Sequence, residues 1–242
     1  MRMQALVRAI YPPQCLCCEA LVEQDFALCG ACWRDMPFVT GLACDTCGLP
    51  LPGVEDDGAR IQCDDCLRTP RPWARGRAVA AYGGNARRMV LQLKHADRLD
   101  LARPLGDWMA RAAAPILTPD MIIAPVPLHW FRLLRRRANQ SALLGARIAQ
   151  VTGLPHIPDL LLRARHTPSQ EGRGRDARFR NLSGALRAHP RRIAQAQGRH
   201  VLLVDDVMTS GATLAAGAET LKAAGVAEVS VLVVARVSQG GP

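Results

Sequence analysis

Short apolar runs alternate along this chain with segments whose apolar residues recur at helical spacing. Apolar runs of this kind, bounded by turn residues, are typical of strands buried in a parallel sheet. The predicted strands cover residues 78–82, 121–127, 160–162, 185–188, 201–204 and 229–237. The predicted helices cover residues 85–95, 99–117, 140–152 and 213–224. Because strands and helices alternate, we expect an α/β fold, a mainly parallel sheet with flanking helices.

The first 66 residues follow a different pattern and contain all nine cysteines of the chain. Eight of them form C-x-x-C pairs: Cys15/Cys18, Cys29/Cys32, Cys44/Cys47 and Cys63/Cys66. A C-x-x-C turn directs two thiolates to one point, so two such turns complete a tetrahedral Zn²⁺ site. We therefore predict two zinc ribbons that pair consecutive turns, the first with the second and the third with the fourth. Because every ligand position is then a thiolate, the two zinc ions are expected to be structural.

The sequence leaves two points about these ligands open. A cross-braced arrangement would pair the first turn with the third and the second with the fourth, and the spacing alone does not exclude it. The ninth cysteine, Cys17, could replace Cys15 as a ligand, although a spare thiol is the better interpretation. Disulfides are the weaker hypothesis for a chain without an evident secretion signal. The acidic residues of this segment do not favour direct nucleic-acid binding. A role in docking or in forming a homodimer is at least as good an interpretation as nucleic-acid binding.

The length of 242 residues fits one medium domain with a small accessory one. Pro70 and Pro72 lie in a stretch that is typical of a linker. They divide the chain into a double zinc ribbon over residues 1–70 and a second domain over residues 77–238. No apolar run reaches the ~18 residues that span a bilayer, and the N-terminus lacks the long apolar core of a signal peptide. We therefore expect a cytoplasmic protein without a membrane span.

The net charge of +10 is concentrated in one region. Between Arg132 and Arg192 there are fourteen arginines and three acidic residues. Such a basic field attracts pyrophosphate, phosphorylated sugars or nucleic acid. The same excess is also typical of the arginine- and alanine-rich composition of a GC-biased genome, so most single arginines receive no functional assignment.

The predicted strand at residues 201–204 ends in two adjacent carboxylates, Asp205 and Asp206. The loop that follows consists of Thr209, Ser210, Gly211, Ala212 and Thr213. Such a loop at the start of a helix places backbone N–H groups around an anion, most naturally a phosphate. Carboxylates instead suit the hydroxyl groups of a sugar or a metal ion. The segment therefore predicts a ribose-phosphate site. The alternative is an ordinary strand end with a solvated acidic pair and a helix cap.

This segment resembles the 5-phosphoribosyl-1-pyrophosphate (PRPP) motif of type I phosphoribosyltransferases, in which four apolar residues precede two acidic ones and a T-[ST]-G-x-T loop. Further motifs lie at residues 93–95, 125–128, 136–140, 163–170 and 178–185. With the cysteine pairs, they make the chain similar to the ComF family, a double zinc ribbon joined to a type I phosphoribosyltransferase domain. That family is linked to bacterial competence, the handling of DNA taken up as single strands. One difference is that the family commonly has R-G-F-N-Q where this chain has Arg136-Arg137-Ala138-Asn139-Gln140.

The resemblance implies a set of catalytic and PRPP-binding residues. Asp205 and Asp206 are expected at the ribose diol and its Mg²⁺, and the loop over residues 209–213 at the 5-phosphate. Lys94 is expected at the pyrophosphate, although a helix C-terminal cation that the macrodipole favours is an alternative interpretation. Arg136 and Arg165 are expected to contact PRPP. Residues 165–180 match the position of the mobile flap of type I enzymes.

Three functions are compatible with these residues. The leading hypothesis is a PRPP- and Mg²⁺-dependent phosphoribosyltransferase, a glycosyltransferase of pentosyl groups, with an unidentified acceptor in DNA uptake or nucleotide metabolism. A hypoxanthine- or guanine-type acceptor is disfavoured, because several purine-salvage relatives carry a carboxylate where this chain has Thr209. The second hypothesis is a non-catalytic PRPP sensor. The third is a protein that handles single-stranded DNA or contacts the competence machinery.

Overall fold

In the computed structural model of this protein, the described residues are 11–53, 60–95, 98–128, 138–164 and 184–238. Their strands are β1 (Gly76–Ala81), β2 (Ile122–Pro125), β3 (Leu161–Arg163), β4 (Leu186–Ala188), β5 (His200–Met208) and β6 (Glu228–Arg236). Their α-helices are α1 (Gly30–Arg34), α2 (Asp64–Arg68), α3 (Gly84–His95), α4 (Ala102–Ala113), α5 (Gln140–Thr152) and α6 (Ala212–Ala223). Among these residues, no helix combines the length and the apolar content that crossing a membrane requires.

Four of the strands form one parallel sheet in the order β1-β6-β5-β2. β5 is central, and its residues 201–204 pair with β2 on one side and with β6 on the other. The two remaining strands lie outside this sheet and pair with each other in an antiparallel ladder. Leu161 of β3 and Leu186 of β4 pack at Gly217 of α6, so this small ladder covers a helix instead of extending the sheet.

Side chains of β5 alternate between two apolar layers, one on each face of the sheet. Leu202 and Val204 lie in the layer that contains side chains of α3, α4 and α5. Val201 and Leu203 lie in the opposite layer, with side chains of α6. All four side chains are fully buried. Burial on both faces explains why the sequence shows an unbroken apolar run here rather than alternation.

The cysteine-rich segment packs on both of these layers. Cys32 and Met36 share the layer that contains α3. Cys44 and Cys66 share the layer that contains α6. Each half of the segment thus contributes to the apolar interior on one face of the sheet.

Residues 37–39, which connect the two halves of the cysteine-rich segment, run along the outer edge of β1. The N–H of Val39 donates to the carbonyl of Val79 at 2.9 Å, and the N–H of Ala81 donates to the carbonyl of Pro37 at 2.9 Å. An uncovered edge strand would present unpaired backbone groups to other chains. The connection therefore completes the sheet at this edge.

The stretch over residues 70–75 that was predicted as a linker contains a buried side chain, although Pro70 and Arg75 are exposed. Trp73 is buried, and its Nε1–H donates to the carbonyl of Thr46 at 2.6 Å. The N–H of Ala74 donates to the carbonyl of Val229 at 2.8 Å. Prolines and basic residues gave the stretch the composition of a linker, whereas its partners lie far away along the chain. The division into residues 1–70 and 77–238 stays a prediction, and buried contacts cross it.

Candidate functional sites

Strand β5 carries the acidic pair beyond the end of its neighbour β2. Pro125, the last residue of β2, pairs with Val204, and β5 continues to Met208 beside β6. Asp205 and Asp206 therefore lie at the carboxyl edge of the sheet, beyond the last residue of β5 that pairs with β2. Ligands of open parallel sheets bind outside this edge.

Two helices bring an ammonium group and a hydroxyl group to the acidic pair. The Nζ of Lys94, near the end of α3, lies 2.9 Å from Oδ1 of Asp206. The hydroxyl of Ser141, in the first turn of α5, donates to Oδ1 of Asp205 at 3.0 Å. The N–H of Asp206 donates to the same oxygen at 2.9 Å. Lys94 therefore forms an ion pair with a predicted site residue and also lies in the last turn of α3.

Asn139 fixes the start of α5 and with it the position of Ser141. Its Oδ1 accepts a hydrogen bond from the N–H of Ser141 at 3.1 Å, as a helix N-cap does. Its Nδ2 donates to the carbonyl of Val126 at 3.1 Å, just beyond the end of β2. Ser141 was not among the predicted site residues. Its place directly after the Asn-Gln motif, at a predicted helix start, is the signal that could have identified it.

The two carboxylates of the pair differ in their surroundings. Burial, with a further contribution from the charge of Asp206, raises the pKa of Asp205 to about 7, although Lys94 and the hydrogen bond from Ser141 act in the opposite direction. Asp206 faces the ammonium group of Lys94 directly. A carboxyl group that titrates near neutral pH can give up its proton when a cation binds. The pair therefore suits reversible binding of a metal ion together with hydroxyl groups.

The hydroxyl- and glycine-rich loop turns directly into α6. Thr209 is exposed and Ser210 is buried, and the Oγ of Ser210 accepts a hydrogen bond from the N–H of Ala212 at 3.4 Å. Gly211 has a left-handed φ of +78°, and a Cβ at this position would lie 3.1 Å from the ring of Trp73. The left-handed conformation favours glycine, and the close approach leaves little room for a side chain. The loop thus presents the N-terminus of α6 at the same edge of the sheet as the acidic pair.

The eight paired cysteines come together in two groups of four. Within each group, the Sγ atoms all lie within 4.8 Å of one another. The groups are Cys15, Cys18, Cys29 and Cys32, and Cys44, Cys47, Cys63 and Cys66. This is the sequential pairing, so the cross-braced alternative does not apply. Four thiols at this separation fit a closed tetrahedral centre, and the two groups fit two structural zinc ions.

Cys17 lies outside both groups, although it is buried beside the first. Burial, together with the neighbouring Cys15, raises the pKa of the Cys17 thiol to about 11. Burial alone would also raise the pKa of Cys15, but the backbone N–H groups of Cys18, Cys29 and Cys17 lower it to about 6. The protein thus favours the thiolate at Cys15 and the neutral thiol at Cys17. Cys17 is distinguished from the ligands by its position, since it lies outside both groups of four.

The structure gathers most of the predicted PRPP-binding residues at one edge of the sheet. Lys94 meets the acidic pair there, and Thr213 lies in the first turn of α6. Arg136, Arg165 and the predicted flap over residues 165–180 lie outside the described residues.

Two arginines outside the predicted set donate hydrogen bonds to backbone carbonyls of the loop. Arg71 donates to the carbonyl of Ser210 at 2.8 Å, and Arg236 donates to the carbonyl of Thr209 at 2.6 Å. Both guanidinium side chains are only 1% exposed. Arg236 ends the apolar run of β6, and a single charge at the end of such a run is the one sequence signal that could have identified it.

Two family models match parts of the chain. A model described as "Double zinc ribbon domain" matches residues 6–67. A model described as "Phosphoribosyl transferase domain" matches residues 139–241. The parallel sheet with its flanking helices and the two tetracysteine groups agree with these matches. The protein thus combines a double zinc ribbon with a phosphoribosyltransferase domain.

Several relatives match over most of their length. DNA utilization protein YhgH of Salmonella typhimurium is 33% identical over 222 residues, which are 89% of this chain and 93% of the relative. Competence protein F of Haemophilus influenzae is 28% identical over 86% of this chain and 90% of the relative. Competence protein ComFC of Bacillus subtilis is 23% identical over 88% of this chain and 86% of the relative. The chain belongs to the ComF family, as its motifs predicted.

Proposed function

We propose that this protein binds PRPP with Mg²⁺ at the carboxyl edge of its sheet and transfers the phosphoribosyl group to an acceptor in the cytoplasm. The observation that carries this proposal is the meeting of Lys94, Ser141 and the acidic pair beside a glycine turn at a helix N-terminus. Carboxylates, an ammonium group and loop N–H groups are complementary to the diol, the diphosphate and the 5-phosphate of one ligand.

In this proposal, the acidic pair holds the ribose and the metal ion. Asp205 and Asp206 accept hydrogen bonds from the ribose hydroxyls and hold Mg²⁺ directly or through water, because Mg²⁺ prefers carboxylate and phosphate oxygens. The pair fits such an ion, since Lys94 neutralises only one of the two carboxylates. When bound, Mg²⁺ neutralises charge on the pyrophosphate.

The other ends of the ligand meet the loop and the lysine. The 5-phosphate accepts hydrogen bonds from the backbone of residues 209–213 and from the hydroxyls of Thr209 and Thr213. Lys94 exchanges its ion pair with Asp206 for the diphosphate. We further propose that Arg136, Arg165 and the predicted flap over residues 165–180, which lie outside the described residues, contact PRPP.

Transfer breaks the bond between ribose C1 and the diphosphate oxygen and forms a bond from C1 to the acceptor. Positive charge develops on the ribose and negative charge on the departing diphosphate, so Lys94 stabilises the leaving group. The exposed Thr209 presents a hydroxyl where several purine-salvage enzymes use a carboxylate. We therefore propose an acceptor other than hypoxanthine or guanine.

The names of the relatives support a role in DNA uptake or utilisation. In that setting the macromolecular partners of this protein are single-stranded DNA or the competence machinery. PRPP is its small-molecule substrate. A homodimer is compatible with this role and is tested by the mass of the protein in solution.

The test is a calorimetric titration of the zinc-loaded protein with PRPP, in the presence and absence of Mg²⁺. We expect saturable binding that requires Mg²⁺, with weaker binding of ribose 5-phosphate, which lacks the diphosphate. Absence of PRPP binding would contradict the proposal. A screen for pyrophosphate release over bases and amines then separates a transferase from a PRPP sensor, since a sensor binds PRPP without releasing pyrophosphate.

A further inference from the structure

The second tetracysteine group lies under the proposed phosphate loop and is connected to it by charged side chains. Asp65 sits between the ligands Cys63 and Cys66, in a turn closed by the hydrogen bond from the N–H of Cys66 to the carbonyl of Cys63 at 2.9 Å. Its Oδ2 contacts the guanidinium of Arg71 and lies 3.6 Å from Nη2 of Arg236. We call this turn, from Cys63 to Cys66, the zinc knuckle. One of its carboxylates therefore contacts two buried guanidinium groups.

The same two guanidinium groups hold three consecutive carbonyls of the loop. Nη1 of Arg236 donates to the carbonyls of Met208 at 3.3 Å and Thr209 at 2.6 Å. Nη1 of Arg71 donates to the carbonyl of Ser210 at 2.8 Å. The loop backbone is thus fixed from below, on the side of the second tetracysteine group.

Fixing these carbonyls also sets the direction of the loop N–H groups. In a trans peptide the C=O of one residue and the N–H of the next point in opposite directions. The described residues contain no cis peptide bond. Because the carbonyls of residues 208–210 point towards the arginines, the N–H groups of Thr209, Ser210 and Gly211 point away from them. These N–H groups are the donors that a phosphate needs.

We propose that Asp65, Arg71 and Arg236 are positioning residues that transmit the geometry of the second zinc centre to the phosphate loop. A metal ion that holds Cys63 and Cys66 fixes the turn of Asp65, Asp65 fixes the two guanidinium groups, and these orient the loop N–H groups towards the ligand. The part of this inference that concerns PRPP rests on the proposed function. The part that concerns loop order does not.

The knuckle itself offers a matched control for this connection. Asp64, the preceding residue, has the same side chain in the same turn of α2. Its side chain is 85% exposed and lies 3.7 Å from Arg68 on the same helix. Asp64→Asn and Asp65→Asn therefore remove the same charge, each next to one zinc ligand. Only Asp65→Asn changes a side chain that contacts Arg71 and Arg236.

The experiment compares the wild type with these two variants in three measurements: zinc content, amide hydrogen exchange of residues 207–214, and affinity for PRPP with Mg²⁺. For Asp65→Asn we expect two zinc ions per chain, exchange in the loop faster by roughly tenfold, and PRPP affinity lower by a similar factor, as is typical of changes in a coupled network. For Asp64→Asn we expect all three measurements within about twofold of the wild type. Equal exchange and equal affinity in the two variants would overturn the proposal.

A second variant covers the case in which Asp65→Asn does not fold, because it leaves two buried guanidinium groups without their carboxylate. Arg71→Lys keeps the positive charge, but a single ammonium group does not reproduce the planar fork that spans Asp65 and Ser210. We expect the same faster exchange and weaker binding, and unchanged values would again overturn the proposal. If the wild type does not bind PRPP at all, the proposed function fails, and loop exchange alone still decides whether the zinc knuckle positions the loop.

Discussion

At the scale of single residues, two neighbouring aspartates of the same sequence motif have different roles in the folded protein. Asp206 forms an ion pair with Lys94, whereas Asp205 is held by Ser141 and by the N–H of Asp206. Burial beside a second carboxylate is unfavourable for a charged group, and a ligand that supplies a cation relieves it. Residues that destabilise the free protein in this way are common at binding sites.

The raised pKa of Asp205 predicts a pH dependence of stability for the ligand-free protein. The folded state holds this proton up to about pH 7, whereas the ordinary value is 3.8. Folded molecules therefore bind more protons than unfolded ones in this window, and stability falls as pH rises from about 4 to about 7. We expect Asp205→Asn to remove roughly 1–3 kcal/mol of this decrease, measured by urea unfolding at several pH values. Glu219→Gln, an exposed change on α6, is the control and is expected to leave the dependence of stability on pH unchanged. A dependence in Asp205→Asn equal to that of the wild type would contradict the raised pKa of Asp205.

The contrast between Cys15 and Cys17 predicts the zinc content of two serine variants. Cys15→Ser removes a ligand of the first group, so we expect the purified protein to retain about one zinc ion per chain instead of two. Cys17→Ser changes a buried thiol outside both groups and is expected to retain two. Elemental analysis of the two purified variants decides this. Loss of one zinc ion from Cys17→Ser, but not from Cys15→Ser, would reverse the ligand assignment.

At the scale of secondary structure elements, the sequence predicted those whose signals are local. The helix over Gln140–Thr152 has the predicted bounds, because an N-cap, helical spacing and a C-terminal glycine all lie within the segment itself. The strand over residues 201–204 was predicted too short: it continues to Met208, since pairing with β6 extends it past the acidic pair. The pairing of β3 with β4 and the packing of Trp73 depend on distant partners, which no local pattern encodes.

The same distinction holds for the candidate site. Asp205, Asp206 and the loop were predicted because they are contiguous, and Lys94 was predicted through the family resemblance. Arg71 and Arg236 were missed, since each looks like an ordinary basic residue until the folded chain brings it under the loop.

The turn between β5 and α6 gives a prediction that separates backbone strain from a local contact. Gly211 and Gly153 have nearly the same left-handed φ, +78° and +75°, but only a Cβ at Gly211 would meet a neighbour, Trp73 at 3.1 Å. We expect each change to alanine to cost about 1 kcal/mol of stability from the backbone alone. Gly211→Ala should in addition lower PRPP affinity, because the new methyl group presses the loop against the buried Trp73 ring, whereas Gly153→Ala should not. Thermal unfolding and PRPP titration of both variants provide the measurement, and equal affinities would show that the loop tolerates a side chain at residue 211.

At the scale of the whole molecule, the zinc ribbons and the parallel sheet share their apolar interior. Side chains of the first ribbon lie in one layer with α3, and those of the second lie in the other layer with α6. Residues 37–39 also cover the edge of β1. The ribbons are therefore expected to stabilise the phosphoribosyltransferase domain and not only themselves.

This shared interior predicts that removal of zinc weakens the whole protein. We expect a strong chelator to lower the midpoint of thermal unfolding by more than about 10 °C, because structural zinc supplies folding free energy directly. Unfolding should remain one transition when followed both by far-ultraviolet circular dichroism and by tryptophan fluorescence. Two separate transitions, with the upper one insensitive to the chelator, would show instead that the sheet folds independently of the ribbons.

The most direct test of the central claim is the affinity for PRPP when the acidic pair loses its charge. The double variant Asp205→Asn/Asp206→Asn keeps the size of both side chains but removes the groups proposed to hold the ribose diol and Mg²⁺. Hydrogen bonds to charged groups contribute about 1.5–3 kcal/mol each, so we expect calorimetry to show at least a roughly hundredfold loss of Mg²⁺-dependent PRPP affinity. Glu228→Gln, an exposed change at the amino end of β6, should bind as the wild type does. PRPP binding of unchanged affinity in the double variant would contradict the account.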